Sequence, residues 1–251
     1  MKFSVCVGAV YHGRDFFESM REIRSLGGKA IEFWSWWDRD LKAIKAAKEE
    51  LGLEVAAFCT RFVSLVDPEK REEYIKGLKE SIEAAKFLDC KILISQTGND
   101  TGAPREVQRQ SLIEGRKACA PLLEEAGVTL AVEPLNTYVD HPGYFLTGSR
   151  EGFDIIEAVG SENVKLLFDI YHQQIMEGNL IRNITSNIDK IAHFHAAGNP
   201  GRHELYIGEI HYPEVFRAID AAGYQGYVGL EYFPLEEPAK GLKALFGKSS
   251  S

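Results

Sequence analysis

Residues 164–198 read VKLLFDIYHQQIMEGNLIRNITSNIDKIAHFHAAG, and this stretch decides the fold. A short apolar run stands at each end, VKLLFDI (164–170) and IAHFHAA (191–197), with a more polar segment of about twenty residues between them. Both runs are continuously hydrophobic rather than alternating, the pattern of strands covered on both faces. Strand, connection and strand at this spacing make the βαβ repeat of a parallel sheet.

The same unit repeats outward in both directions. Upstream lie FSVCVG (3–8), KAIEFW (29–34), LEVAAFC (53–59), KILISQ (91–96) and VTLAVEP (128–134), and downstream YVGLEYF (227–233). Segments of helical spacing separate them. Phe16, Phe17, Met20, Ile23 and Leu26 make one stripe, Tyr74, Ile75, Leu78, Ile82 and Ala85 another, and Val215, Phe216 and Ile219 a third. Glycines at 27–28, 52, 127 and 223 stand before strands, where a helix needs a left-handed stop. Eight such runs, about 25 to 38 residues apart with no linker or composition shift, predict an α/β fold: a single (β/α)₈ TIM barrel over residues 1–251. An open doubly wound sheet would want GxGxxG after its first strand, and VGAVYHG lacks it.

Composition narrows the function. The 251 residues are 45% hydrophobic and 26% charged, with 29 basic against 37 acidic side chains and a net charge of −8. That surplus of acid argues against nucleic acid as a partner, whose binding needs phosphates neutralised by Lys and Arg. It equally disfavours an anionic membrane surface, and no apolar run is long enough to span a bilayer. Cys6, Cys59, Cys90 and Cys119 form no CxxC pair and predict reduced, buried thiols. The opening MKFSVCVGAVYHGRDFF faintly imitates a secretory signal. Charged Arg14 and Asp15 stand where a cleavage site would be, so it reads as a first strand and the chain as cytoplasmic.

In a barrel of this kind the chemistry sits at the C-terminal ends of the strands. Strand five ends in AVEPLN with Glu133, strand six in LLFDIYH with Asp169, strand seven in HFHAAG with His195, and strand eight in GLEYF with Glu231. Each is an ionisable residue inside or capping an apolar run, where a charge is costly unless paired or metal-bound. One alone would read as a helix cap or half of an ion pair. Three carboxylates and an imidazole at equivalent positions suit a divalent ion such as Mg²⁺, Mn²⁺ or Co²⁺. His193 can point inward with His195 only if Phe194 points outward, and reads as a supporting or a core histidine. Gln96, Asn99 and Asp100, after strand four, read as substrate contacts or as part of a turn. Trp34, with Phe33, Trp36 and Trp37, reads as a wall of the pocket, as a surface joining copies in a homo-oligomer, or as core packing. Asp38 to Asp40 reads as a helix cap, and LVDPEKREEY (65–74) as a loop entering a solvated helix. No lysine ends a strand, which disfavours Schiff-base chemistry.

Residues 193–234 carry GNPGRHE, GEI and GYxGxxGxEY, and EPLN, HPGYFL (141–146), FDIYHQQIMEGNL (168–180) and IEFW (31–34) accompany them. These motifs resemble the hydroxypyruvate isomerase family of the xylose isomerase-like barrels. The resemblance implies that Glu133 and Glu231 hold the metal and act as acid and base, that Asp169 and His195 complete the ligands, and that His172 binds a substrate oxygen. It implies an anion or hydroxyl contact for Arg202, which otherwise reads as a loop residue paired with Glu204 or Glu209. The expected activity is aldose–ketose isomerisation of hydroxypyruvate, or of a related small hydroxy-oxo acid or sugar, through an enediolate. Ketose 3-epimerases share the four metal positions, with the histidine at 195 closer to their pattern, and stand as the alternative. An inosose-type dehydratase and a non-catalytic sugar-binding barrel are lesser ones.

Overall fold

In the computed structural model, which describes residues 1–247, eight parallel strands close into a barrel in chain order. They are β1 (Lys2–Cys6), β2 (Ala30–Phe33), β3 (Glu54–Cys59), β4 (Ile92–Ser95), β5 (Thr129–Val132), β6 (Val164–Asp169), β7 (Ile191–Ala196) and β8 (Tyr227–Leu230). The helices are α1 (Val7–Val10), α2 (Phe16–Ser25), α3 (Leu41–Leu51), α4 (Arg71–Leu88), α5 (Arg105–Ala126), α6 (Ser149–Val159), α7 (Ile170–Met176), α8 (Leu180–Thr185), α9 (Tyr212–Ala221) and α10 (Pro238–Phe246). β1 pairs with both β2 and β8, which closes the sheet. All eight expected strands are present, and the fold is the (β/α)₈ barrel. The first run stops earlier than expected, because Val7 to Val10 turn into a short helix.

Short polar residues set the helix boundaries. Asp15 accepts the backbone N–H of Glu18 at the start of α2, and Asp40 accepts those of Lys42 and Ala43 at the start of α3. Each satisfies donors that a helix N-terminus leaves open. α5 ends on Gly127, in the left-handed region at φ 62°. The Asp67 to Lys70 stretch makes a short 3₁₀ turn into α4, and the four cysteines are free and buried.

Alternation along the strands splits the core into two layers. Val5, Ile31, Phe58, Leu93, Leu130, Leu166, Phe194 and Val228 join the main apolar cluster between barrel and helices. Each side chain of this kind taken fully out of water contributes about 1.5–3 kcal/mol. Their neighbours face the lumen, where Ala57, Cys59, Ile94, Ala131 and Leu167 form a separate cluster on β3 to β6. Across from it the lumen is polar: Ser4 on β1, Glu32 on β2 and His193 on β7 are all buried and hydrogen-bonded. One-residue register shifts set Glu32 opposite Ala57 and Leu167 opposite His193.

Candidate active site

Each of the four expected ligands lies two residues beyond a lumen-facing position and so points into the barrel mouth. Asp169 and His195 are the register partners at the ends of β6 and β7, and Glu133 and Glu231 follow the last residues of β5 and β8. All four are at most 5% exposed. His195 Nδ1 lies 3.3 Å from Glu231 Oε2, 3.4 Å from Glu133 Oε1 and 4.0 Å from Asp169 Oδ2. One ligand atom from each of the four lies within 4.8 Å of the others. Asp169 divides its carboxylate between two tasks: Oδ1 accepts the His172 backbone N–H at 3.1 Å, capping α7, while Oδ2 faces the cluster.

Burial alone would push the Glu231 carboxyl up, but His195 and Arg202 outweigh it and hold it well below the usual carboxylate range. Burial pushes Asp169 up, and Arg202 and His195 only partly offset it. Burial opposes a charge on His195, yet Glu231 and Glu32 raise its imidazole well above the ordinary value. Three carboxylates outnumber the one imidazole and one guanidinium that face them, and His195 Nδ1, wholly enclosed, has no hydrogen-bond partner. This donor set fits a divalent cation of hard or borderline character.

The cluster forms the floor of a cleft of about 420 Å³, whose lining includes Trp34, Phe62, Gln96, Asn99, His172 and Arg202. Trp34 Nε1 donates to Glu231 Oε1 at 2.6 Å, so its indole fixes the carboxylate as well as walling the cleft. Trp36 instead donates to Ser81 on α4, and Trp37 meets Phe62 edge-on at 5.1 Å. Gln96 Nε2 lies 3.5 Å from Glu133 Oε2. Asn99 bridges to Tyr144, whereas Asp100 is taken up by Gln108 and the Gly102 backbone.

Arg202 is paired with neither Glu204 nor Glu209. Its guanidinium donates to Glu231 and lies 3.9 Å from Asp169 Oδ2, because the loop after β7 turns back over the barrel mouth, with Arg202 itself at φ 57°. Its Nε is buried without a partner. His172 is completely buried, and its protonation is fixed by Asn136. The Asn136 Oδ1 accepts the backbone N–H groups of Val139 and Asp140, so its Nδ2 is the atom facing His172 Nδ1, at 2.6 Å. His172 Nδ1 is then an acceptor, and the proton sits on Nε2, which has no partner. Burial, reinforced by Arg202, lowers this imidazole to about 3, so it is neutral.

One buried acid escaped the strand-end reading. Glu32, inside β2, lies 2.9 Å from both His193 Nε2 and His195 Nε2. Its signal is the same as that of the four expected ligands, an ionisable residue within an apolar run, here IEFW. Phe194 does point outward, against Tyr224 and Phe168, which leaves His193 and His195 both inside. A larger, mostly apolar hollow of about 980 Å³ between Phe3, Tyr206, Phe216 and Leu235 contains none of these clustered ligands.

The chain belongs to the xylose isomerase-like TIM barrel family, whose model matches residues 20–247, and to the hydroxypyruvate isomerases within it. It is 31% identical to the hydroxypyruvate isomerase of Escherichia coli strain K12, over 97% of each chain. It is 30% identical to a 2-oxo-tetronate isomerase of Cupriavidus necator, over 96% of each. Among solved structures, a Brucella melitensis protein described as an AP endonuclease of family 2 superposes with a TM-score of 0.94 at 29% identity, covering 98% of both chains.

Proposed function

We propose that this chain is a metal-dependent isomerase of small hydroxy-oxo acids, hydroxypyruvate or a 2-oxo-tetronate, with Glu133 and Glu231 as its acid and base. The observation that carries the reading is convergence. Buried atoms without hydrogen-bond partners, His195 Nδ1, His172 Nε2, Arg202 Nε and Gln96 Oε1, gather at one cleft with three carboxylates. The names of the E. coli and C. necator relatives supply the substrate class. The cleft volume is ample for a three- or four-carbon acid.

Glu133, Asp169, His195 and Glu231 would hold the ion. When bound, a divalent ion supplies a Lewis acid that stabilises negative charge developing on the substrate oxygens. One glutamate removes a proton from the hydroxyl-bearing carbon beside the carbonyl, and the electron pair forms the C=C bond of an enediolate. The other glutamate delivers a proton to the former carbonyl carbon, while the hydroxyl proton passes to the former carbonyl oxygen. The two can stand on different sides of the substrate because they rise from β5 and β8, with β6 and β7 between them. His172 Nε2–H, neutral and fixed by Asn136, donates to a substrate oxygen. Arg202 offers its Nε–H to the substrate carboxylate while its other arm orients Glu231.

The test is turnover of hydroxypyruvate and 2-oxo-tetronate with Mg²⁺, Mn²⁺ and Co²⁺, beside fructose and tagatose. Conversion of the oxo-acids, abolished by a chelator and restored by added metal, is expected, and replacing either glutamate with glutamine should cost about 10²–10⁴-fold. Full activity in the chelator would sink the metal reading. C3 epimers from the ketoses without turnover of the oxo-acids would make the enzyme an epimerase.

A further inference from the structure

Beneath the ligand cluster, Glu32 organises the polar half of the lumen. Its Oε2 accepts from Ser4 Oγ at 2.7 Å and from His193 Nε2 at 2.9 Å, and its Oε1 makes a 2.9 Å ion-pair contact with His195 Nε2, two buried atoms with no hydrogen-bond partner elsewhere. Glu32 is 1% exposed and does not line the cleft, so it is out of a substrate's reach. It extends from β2 past β1 and β8 toward β7, and it can do so because residue 229 on β8 has no side chain. Gly229 is in register with His195, and a Cβ there would sit 2.3 Å from Glu32 Oε1.

Glu32, His193 and His195 are themselves grouped closely enough to suggest a second cation site. Proton counting argues otherwise. A neutral imidazole has one lone pair, so His195 cannot give Nδ1 to an upper ion and Nε2 to a lower one while keeping an N–H. Ser4 and His193 already occupy the other Glu32 oxygen.

We propose that Glu32 is a positioning residue: it accepts the Nε2–H of His195 and thereby holds the ring with Nδ1 turned toward Glu133, Asp169 and Glu231, so that an ion can take the place of the Nδ1 proton. The proposal rests on the reading of the upper cluster as a metal site. A carboxylate behind a ligating imidazole fixes its tautomer and raises its basicity, and losing it typically weakens metal binding about 10–100-fold.

The experiment is calorimetric titration of the metal-stripped full chain with Mn²⁺, for the wild type, E32Q, G229A and E133Q. Long-range ¹H–¹⁵N spectra of the Mg²⁺-saturated wild type and E32Q accompany it. The wild type should bind one equivalent. E32Q should bind about 10–100-fold more weakly, and the His195 proton fixed on Nε2 in the wild type should lose that preference. G229A, which leaves the Glu32 carboxylate intact but crowds it out of place, should weaken binding in the same direction, and it decides the matter if E32Q does not fold. Wild-type affinity in both variants overturns the proposal, as does a second equivalent of Mn²⁺ that only E32Q loses. No Mn²⁺ binding by the wild type, or undiminished binding by E133Q, overturns the metal reading and this proposal with it.

Discussion

At the scale of single residues, the site is governed by which atom of each side chain is already committed. Asn136 spends its oxygen on two backbone N–H groups and its amide on His172 and Asp140, so the tautomer of His172 follows from a turn more than thirty residues away in the chain. Asp140 accepts from both Asn136 Nδ2 and Tyr171 OH. Its partial burial would raise the carboxyl, but these two donors outweigh burial and hold it below the usual value. A carboxyl lowered in the folded state contributes stability above its ordinary value, and that contribution is lost as pH falls through the lowered one. Melting temperatures of the metal-free chain between pH 7 and 3 should therefore fall on acidification, and D140N should flatten part of that fall. An unchanged acid limb would show that these bonds do not favour the ionised form. Glu133, Asp169, His195 and Glu231 were legible in the sequence because a charged residue at the end of an apolar strand needs a reason. Glu32 gave the same signal from inside a strand, where the C-terminal-end rule does not look. The pairing of Arg202 was not legible, since it depends on how a long loop folds back over the barrel mouth.

At the scale of elements, alternation and caps set most of the architecture. The eight apolar runs became eight strands because strands buried on both faces need continuous hydrophobicity, a signal no loop imitates over such regular spacing. The stripes beginning at Phe16, Tyr74 and Val215 became α2, α4 and α9. The segment after β6, which carries no comparable stripe, breaks into two short helices, α7 and α8. Asp169 shows why a cap and a member of the buried cluster were hard to separate by sequence: one oxygen caps α7 while the other faces His195. Gly127 offers a clean test of the helix stops. Nothing lies within 4 Å of where its Cβ would be, so Gly127→Ala changes only the cost of the left-handed backbone. Urea unfolding should show a loss of about 1 kcal/mol, whereas no loss would mean that the end of α5 relaxes out of the left-handed conformation.

At the scale of the whole molecule, the barrel is divided into an apolar half that packs and a polar half that supports the site. Part of the net charge of −8 is gathered at the mouth, where Glu133, Asp169 and Glu231 share one imidazole and one guanidinium. A divalent ion bound there should stabilise the entire fold. At a concentration a hundred times its dissociation constant the gain is about 2.7 kcal/mol, or roughly 5–10 °C in melting temperature for a chain of this size. E133Q should lose most of that increment while its metal-free melting point stays near the wild type.

The most direct test of the two-glutamate site is deuterium uptake, followed by ¹H NMR of hydroxypyruvate in D₂O with the Mg²⁺-loaded enzyme. Two different carboxylates acting on the two carbons require the aldehyde isomer to carry solvent deuterium, and both E133Q and E231Q should slow its appearance by about 10²–10⁴-fold. An isomer formed without deuterium, or formed at the wild-type rate by either variant, would contradict the account.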